Sequence, residues 1–144
     1  MLCLGIILAL AILVIEMLMG GSVLLFHNVP SLLLVIGCTI FLILASYGGK
    51  GLKLLFVAPF VRNLSPEDVT LSIAVYKDAK TYLIALGFIG FLIGAVLMLA
   101  SLEYFDDVSK IGSGLAICVL TVFYGIVFAY FICHPVLRQL EKKL

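Results

Sequence analysis

Apolar residues arrive along this chain in four long blocks rather than in alternation. The blocks cover Leu2–Phe26, Ser31–Gly49, Thr81–Leu102 and Ile111–His134. A bilayer core about 30 Å thick takes about 20 apolar residues per helix, and each block is of that order. In hydrocarbon every backbone N–H and C=O has to be paired inside the protein, which leaves helices or closed barrels. The ten-residue alternating segments of a membrane barrel are not seen in the pattern. The blocks therefore predict an all-α, polytopic membrane protein with four transmembrane helices.

The polar breaks set the connections. His27-Asn28-Val29-Pro30 is a tight turn, so the first two blocks form a hairpin. Residues 50–80 are the longest polar stretch and are too few for a core of their own. Within them Ser65-Pro66-Glu67-Asp68 is a helix start: a hydroxyl N-cap, a proline at the first helical position, and acids at the positive end of the helix dipole. Val69, Ile73, Tyr76 and Leu83 follow at helical spacing. The spacing predicts one long third helix from Pro66 to about Leu102, starting in the cytoplasm and continuing across the membrane. Lys50–Val61 reads either as a continuation of the second span or as a segment lying on the membrane surface. The chain divides into a first hairpin (1–49), a short cytoplasmic segment (50–80), and a second hairpin with a tail (81–144), all one membrane domain.

Composition agrees. With 65% hydrophobic and 12% charged residues, the chain is too apolar to cover a water-facing surface. The first block lacks a basic leader and is about twice the length of a signal-peptide core, so it reads as a span. Eight of the nine basic residues fall in 50–80 (Lys50, Lys53, Arg62, Lys77, Lys80) or in the tail (Arg138, Lys142, Lys143). The positive-inside rule puts that side, with both termini, in the cytoplasm of a bacterial inner membrane. The opposite loops carry His27, Glu103, Asp106, Asp107 and Lys110, read as solvated. Cys3, Cys38, Cys118 and Cys133 lie in apolar blocks without a CxxC pair and read as small packing residues. Phosphate loops, nucleophile–base sets and metal-ligand spacings are missing from the sequence. It is thus expected to be no enzyme, with no cofactor or metal. A net charge of +1 gives no reason to expect nucleic acid.

Glu16 is the exception inside the first block. A carboxylate at membrane depth costs roughly 2.5–3.5 kcal/mol on insertion scales, so such groups are paired or functional. Gly5, Ala9, Glu16 and Gly20 share a helical face, which suggests that Glu16 points at protein, with Thr39 as a possible partner. Three readings compete: a structural pair, a contact to a partner subunit, or an ion-coupling site. Small residues also form stripes. Gly87, Gly90, Gly94 and Ser101 share one face of the third span, and Gly114, Cys118, Thr121, Gly125 and Ala129 one face of the fourth. In lipid, small stripes allow close backbone approach. Either these two helices pack on each other, or the stripes also line a central space that receives helices of another chain. His134 reads as a helix-end residue near the cytoplasmic interface.

The motifs resemble the MotA/TolQ/ExbB proton channel family, in particular its MotA branch. Gly20-Gly21-Ser22, Phe26 and Pro30-Ser31 through Gly37 are similar to its first hairpin. Gly87-Phe88-Ile89-Gly90, Gly94, an outer loop ending Val108 to Gly112, Thr121, Tyr124-Gly125, Ala129 and Pro135 are similar to its second. The resemblance implies a homo-oligomeric ring, a pentamer, around the helices of a single-span subunit of the MotB/TolR/ExbD kind. The third and fourth spans would line the ring, and a carboxylate on the partner would take up ions. It implies an ion-motive-force-driven motor or energy-transducing complex. The alternative is a non-conducting oligomeric scaffold or sensor on the same fold.

The chain departs from the family in places that bear on that choice. Only about 30 residues stand where the MotA branch has a large cytoplasmic insertion. Ile84 stands where the family often has proline, Phe91 where it has a pore-facing threonine, and Val122 where it has the second of two threonines, Thr121 being the first. Thr121, Phe91, Val122 and Ile84 are the ion-path candidates. Thr121 would either bond its own i−4 carbonyl or line the path, and Phe91 would pack or plug. On this reading the motor assignment leans on the glycine stripes facing a shared axis; sealing them within one chain would count against it.

Overall fold

The computed structural model describes residues 2–21, 26–61, 63–100 and 108–143. Among them the chain is helical, with no β-strand. Helix α1 is Leu2–Met19; α2 is Val29–Val57; α3 is Pro66–Ala100; α4 covers 108–141, as Val108–Val127, a wide π-helical turn Phe128–Cys133, and His134–Glu141. The last three are long and apolar enough to cross a bilayer. At 18 residues α1 is shorter. A rise of 1.5 Å per residue makes it about 27 Å long, near the lower limit for a span.

Each boundary has a local cause. Helix α1 stops at Gly20-Gly21, and Gly21 has φ +145°, a conformation that favours glycine. Asn28 caps α2: its side-chain oxygen accepts from the Ser31 N–H at 3.0 Å, with Pro30 in the first turn. The Ser65 hydroxyl accepts from the Asp68 N–H at 3.2 Å, so the expected cap of α3 is in place. That helix then runs unbroken for 35 residues. Val69, Ile73, Tyr76 and Leu83, the residues whose spacing predicted it, are all buried. The outer boundary of α4 differs from expectation, since its helix already includes Val108. His134 is not at a helix end either, because the helix continues through Pro135 to Glu141.

Helix α2 is not straight. Gly48 has φ +63° and ψ −166°, which breaks the helical path between Tyr47 and Gly49. The following segment crosses the N-terminal end of α3. Lys50 pairs with Asp68 at 2.8 Å, Tyr47 donates to Asp78 Oδ2 at 2.6 Å, and Tyr76 donates to the Leu55 carbonyl at 2.5 Å. A methyl on Gly51 would sit 2.2 Å from Tyr47 Cβ, so glycine is needed beside the break. Neither a plain continuation of α2 nor a free surface segment describes residues 49–60; they are a packed crossing.

The core lies largely at that end. Val69, Ile73, Val75, Tyr76 and Ala79 of α3 meet Cys133, Val136, Leu137 and Leu140 of α4, with Ala58 of the crossing segment beside them. Helix α1 sits apart. Its Leu4, Ile7, Leu8, Ile12, Ile15 and Leu18 are each more than half exposed.

Candidate functional site: the α3–α4 contact and the loop bound to it

The two small stripes face each other. A methyl on Gly87 would lie 3.2 Å from the Thr121 carbonyl oxygen and 3.3 Å from Val122 Cα. One on Gly90 would lie 2.4 Å from Thr121 Cγ2, and one on Gly94 2.7 Å from Cys118 Sγ. From the other side, a methyl on Gly125 would lie 2.4 Å from the Leu83 carbonyl oxygen, and one on Gly114 3.1 Å from Met98 Sδ. At Gly87 and Gly125 the approach is to the partner backbone, and at Gly90, Gly94 and Gly114 it is to side chains of the facing helix. The expectation that the glycine faces line a central space is therefore corrected: within one chain they are filled by each other. Ala129, fully buried, continues the contact toward the core at the N-terminal end of α3. Ser101 lies outside the described residues.

Thr121 is at the centre of this contact and is 4% exposed. Its hydroxyl is 3.1 Å from its own i−4 carbonyl at Ile117 and donates to Ser31 Oγ at 3.0 Å. It thus faces α2 and α3, not an open face. Tyr124, one turn further on, donates to the Phe26 carbonyl and accepts from the Asn28 N–H at 3.1 Å. A chain of polar contacts therefore pins the turn at 26–31 to α4. Ser31, Tyr124 and Thr121 were each legible as family-like positions, but nothing in their spacing indicated that they meet. The bonds join residues 90 and 96 positions apart.

The side chains of the remaining candidates are less enclosed than Thr121, though the Val122 backbone borders Gly87. Ile84, Phe91 and Val122 are partly exposed. The outward faces of the two helices are apolar, with Phe88, Leu92 and Val96 on α3 and Leu115, Val119 and Ile126 on α4 all exposed. Glu16 and Thr39 do not pair: the Thr39 hydroxyl donates to the Val35 carbonyl at 2.7 Å and its residue is buried, whereas Glu16 is exposed. The face with Gly5, Glu16 and Gly20 is exposed as well, so it does not point into this chain's own bundle. Gly20 and Gly21 end α1, and Pro135 follows the π-helical turn, where its missing N–H is tolerated. A group missed in the sequence sits beside that turn. Lys80 Nζ lies 4.5 Å from the centre of the Tyr130 ring and donates to His134 Nδ1 at 3.4 Å. The i, i+4 spacing of Tyr130 and His134 was the available signal.

Among the described residues there is no cluster that could hold a metal ion, and Cys38, Cys118 and Cys133 are free thiols. The arrangement offers close helix packing and apolar outer faces.

Fold and contact together define a polytopic, all-α membrane protein built on a glycine-packed hairpin. Residues 66–144, which contain that hairpin, match the MotA/TolQ/ExbB proton channel family, and the chain belongs to it. The match leaves out α1 and α2. Motility protein A of Aquifex aeolicus is 34% identical over 76 residues, covering 53% of this chain and 29% of that protein. Motility protein A of Bacillus subtilis is 27% identical over 93 residues, 60% of this chain and 33% of that protein. YtxD, an uncharacterised protein of the same bacterium, is 38% identical over 69 residues, 48% and 24% respectively. The chain thus aligns with a third or less of each relative. The family is one of proton channels, not of enzymes.

Proposed function

We propose that this chain is a ring-forming membrane subunit of an ion-motive-force-driven motor or energy-transducing complex. It would sit in a bacterial inner membrane with its termini and residues 50–80 in the cytoplasm. Its copies, five by resemblance, would surround the helices of a single-span partner of the MotB/TolR/ExbD kind. One observation carries this reading: the family match falls on α3 and α4, the pair that by resemblance lines the ring. The glycine stripes no longer support it. What remains for contact with neighbours and partner is the opposite, apolar surface of the pair, with Phe88, Leu92, Leu115 and Val119. Such a surface is compatible with a ring whose ion-carrying carboxylate belongs to the partner. One charge moved through 100 mV releases about 2.3 kcal/mol, enough to bias a step between two packings.

The test is copurification of the tagged chain from its native membrane, followed by mass measurement of the intact complex and identification of any single-span protein bound to it. The expected result is several copies of this chain with the partner bound. A monomer that retains no partner would overturn the proposal.

A second reading is favoured by a specific observation. Ile84, Phe91 and Val122 are apolar where the family is polar or kinked, and the one retained hydroxyl, Thr121, is bonded to Ser31. These features suit a non-conducting scaffold or sensor. Proton flux in liposomes carrying both proteins separates the two. Flux that is lost when the partner's membrane carboxylate is neutralised supports the motor, and absence of flux supports the scaffold. If Phe91 plugs a path, Phe91→Thr raises the leak; an unchanged leak places Phe91 off any path.

A further inference from the structure

Between α1 and the rest of the molecule runs an apolar cavity of about 490 Å³, within the usual range for ligand sites. Ile6 of α1 forms one wall, Ile36 and Ile40 of α2 and Leu83 of α3 line its depth, and Phe56 and Phe60 of the crossing segment stand at one end. Two polar side chains touch it, and both are already satisfied. Thr39 donates to the Val35 carbonyl and Tyr76 to the Leu55 carbonyl. Both hydroxyl hydrogens are thus committed inside the protein, and the rest of the lining is aliphatic or aromatic apart from the Cys133 thiol, so the stretch suits hydrocarbon.

The cavity is open at its edge, where Ile7 is 62%, Phe56 58% and Phe60 79% exposed. The crossing segment at the mouth carries charge as well as aromatics. Lys53, exposed, lies one turn before Phe56. Lys143 Nζ reaches the Val61 carbonyl at 2.9 Å, next to Phe60. Aromatic and basic groups together at the end of an apolar groove match the interfacial region of a bilayer, and basic groups there favour anionic headgroups.

We infer that this groove holds one acyl chain of an anionic phospholipid, with the phosphate beside Lys53 and Lys143. The apolar depth takes the tail, and the basic mouth selects the headgroup. Helix α1 then packs on the bundle partly through a lipid, which fits its poor burial.

The chain contains no tryptophan, so a single introduced one reports alone. Phe60→Trp at the mouth and Ile40→Trp in the depth are placed separately in nanodiscs of mixed phosphatidylglycerol and phosphatidylcholine, one lipid brominated on its acyl chains at a time. The expected result at both positions is quenching by brominated phosphatidylglycerol at least about two-fold above its mole fraction. Lys53→Gln in either background should bring that excess close to one while leaving quenching itself. Quenching that simply follows mole fraction in both variants means ordinary boundary lipid and overturns the inference. No quenching by either lipid means that protein, such as a second copy of the chain, covers the groove, and overturns it too. Phe60 is largely exposed, so its replacement leaves the fold intact and keeps the test readable if Ile40→Trp does not fold.

Discussion

The α3–α4 pair and α1 are built from the same apolar alphabet and are held in opposite ways. In the pair, glycines at 87, 90, 94, 114 and 125 bring two backbones together so closely that added methyls would collide with main-chain or side-chain atoms. In α1, a methyl on Gly5 would meet nothing within 4 Å, and its large aliphatics are exposed along its length. The difference shows what holds helices together in lipid. Leucine and isoleucine gain nothing by leaving acyl chains for one another, so density of contact decides, and small residues provide it. A hydrophobic block guarantees a helix; only the stripe guarantees a neighbour.

The sharpest way to break this contrast is Gly125→Leu. The side chain has no room beside the Leu83 carbonyl, and overpacking costs of about 1–3 kcal/mol or more are expected. Unfolding by SDS titration, followed by circular dichroism, should show the largest loss of all the variants here. Tyr124→Phe comes next. It removes the hydroxyl that binds both the Phe26 carbonyl and the Asn28 N–H, and leaving such groups unpaired costs about 1–3 kcal/mol. The same titration measures it, and protease access at the turn should rise. Thr121→Val keeps the shape and loses the Ser31 contact, for about 0.6 kcal/mol, the typical value for a hydrogen bond between membrane helices. At the other end of the scale, Gly5→Ala in α1 should leave the unfolding midpoint unchanged. A Gly5→Ala loss as large as that of Gly125→Leu would erase the distinction between the two regions.

Much of this was legible in the chain, for physical reasons. Block length alone gave the helices, because lipid allows few alternatives. Ser65-Pro66-Glu67-Asp68 gave the start of α3, because capping is a local matter of one hydroxyl and one N–H. The stripes gave the contact between the last two helices, but not its exclusivity. A glycine face is equally suited to a sister helix and to a foreign one, and only coordinates distinguish them. The pairing of Glu16 with Thr39 was misread for a related reason. Periodicity placed Glu16 on a face with glycines, but what that face meets depends on how α1 leans on the bundle, which no local pattern encodes. The break at Gly48 was hidden although Gly48, Gly49 and Gly51 stand together there, because glycine permits a left-handed conformation without requiring it. The meeting of Tyr124 with residues 26 and 28 was hidden by sequence distance.

The unbroken course of α3 has a mechanical consequence. Its neighbours are both interrupted, α2 at Gly48 and α4 at the turn Phe128–Cys133, where a bend dissipates displacement. With 35 residues, α3 is a rod about 52 Å long, and it joins Pro66 to Ala100 without a break. Whatever leans on the Pro66 end of this subunit is thereby connected, through one stiff lever, to its far end.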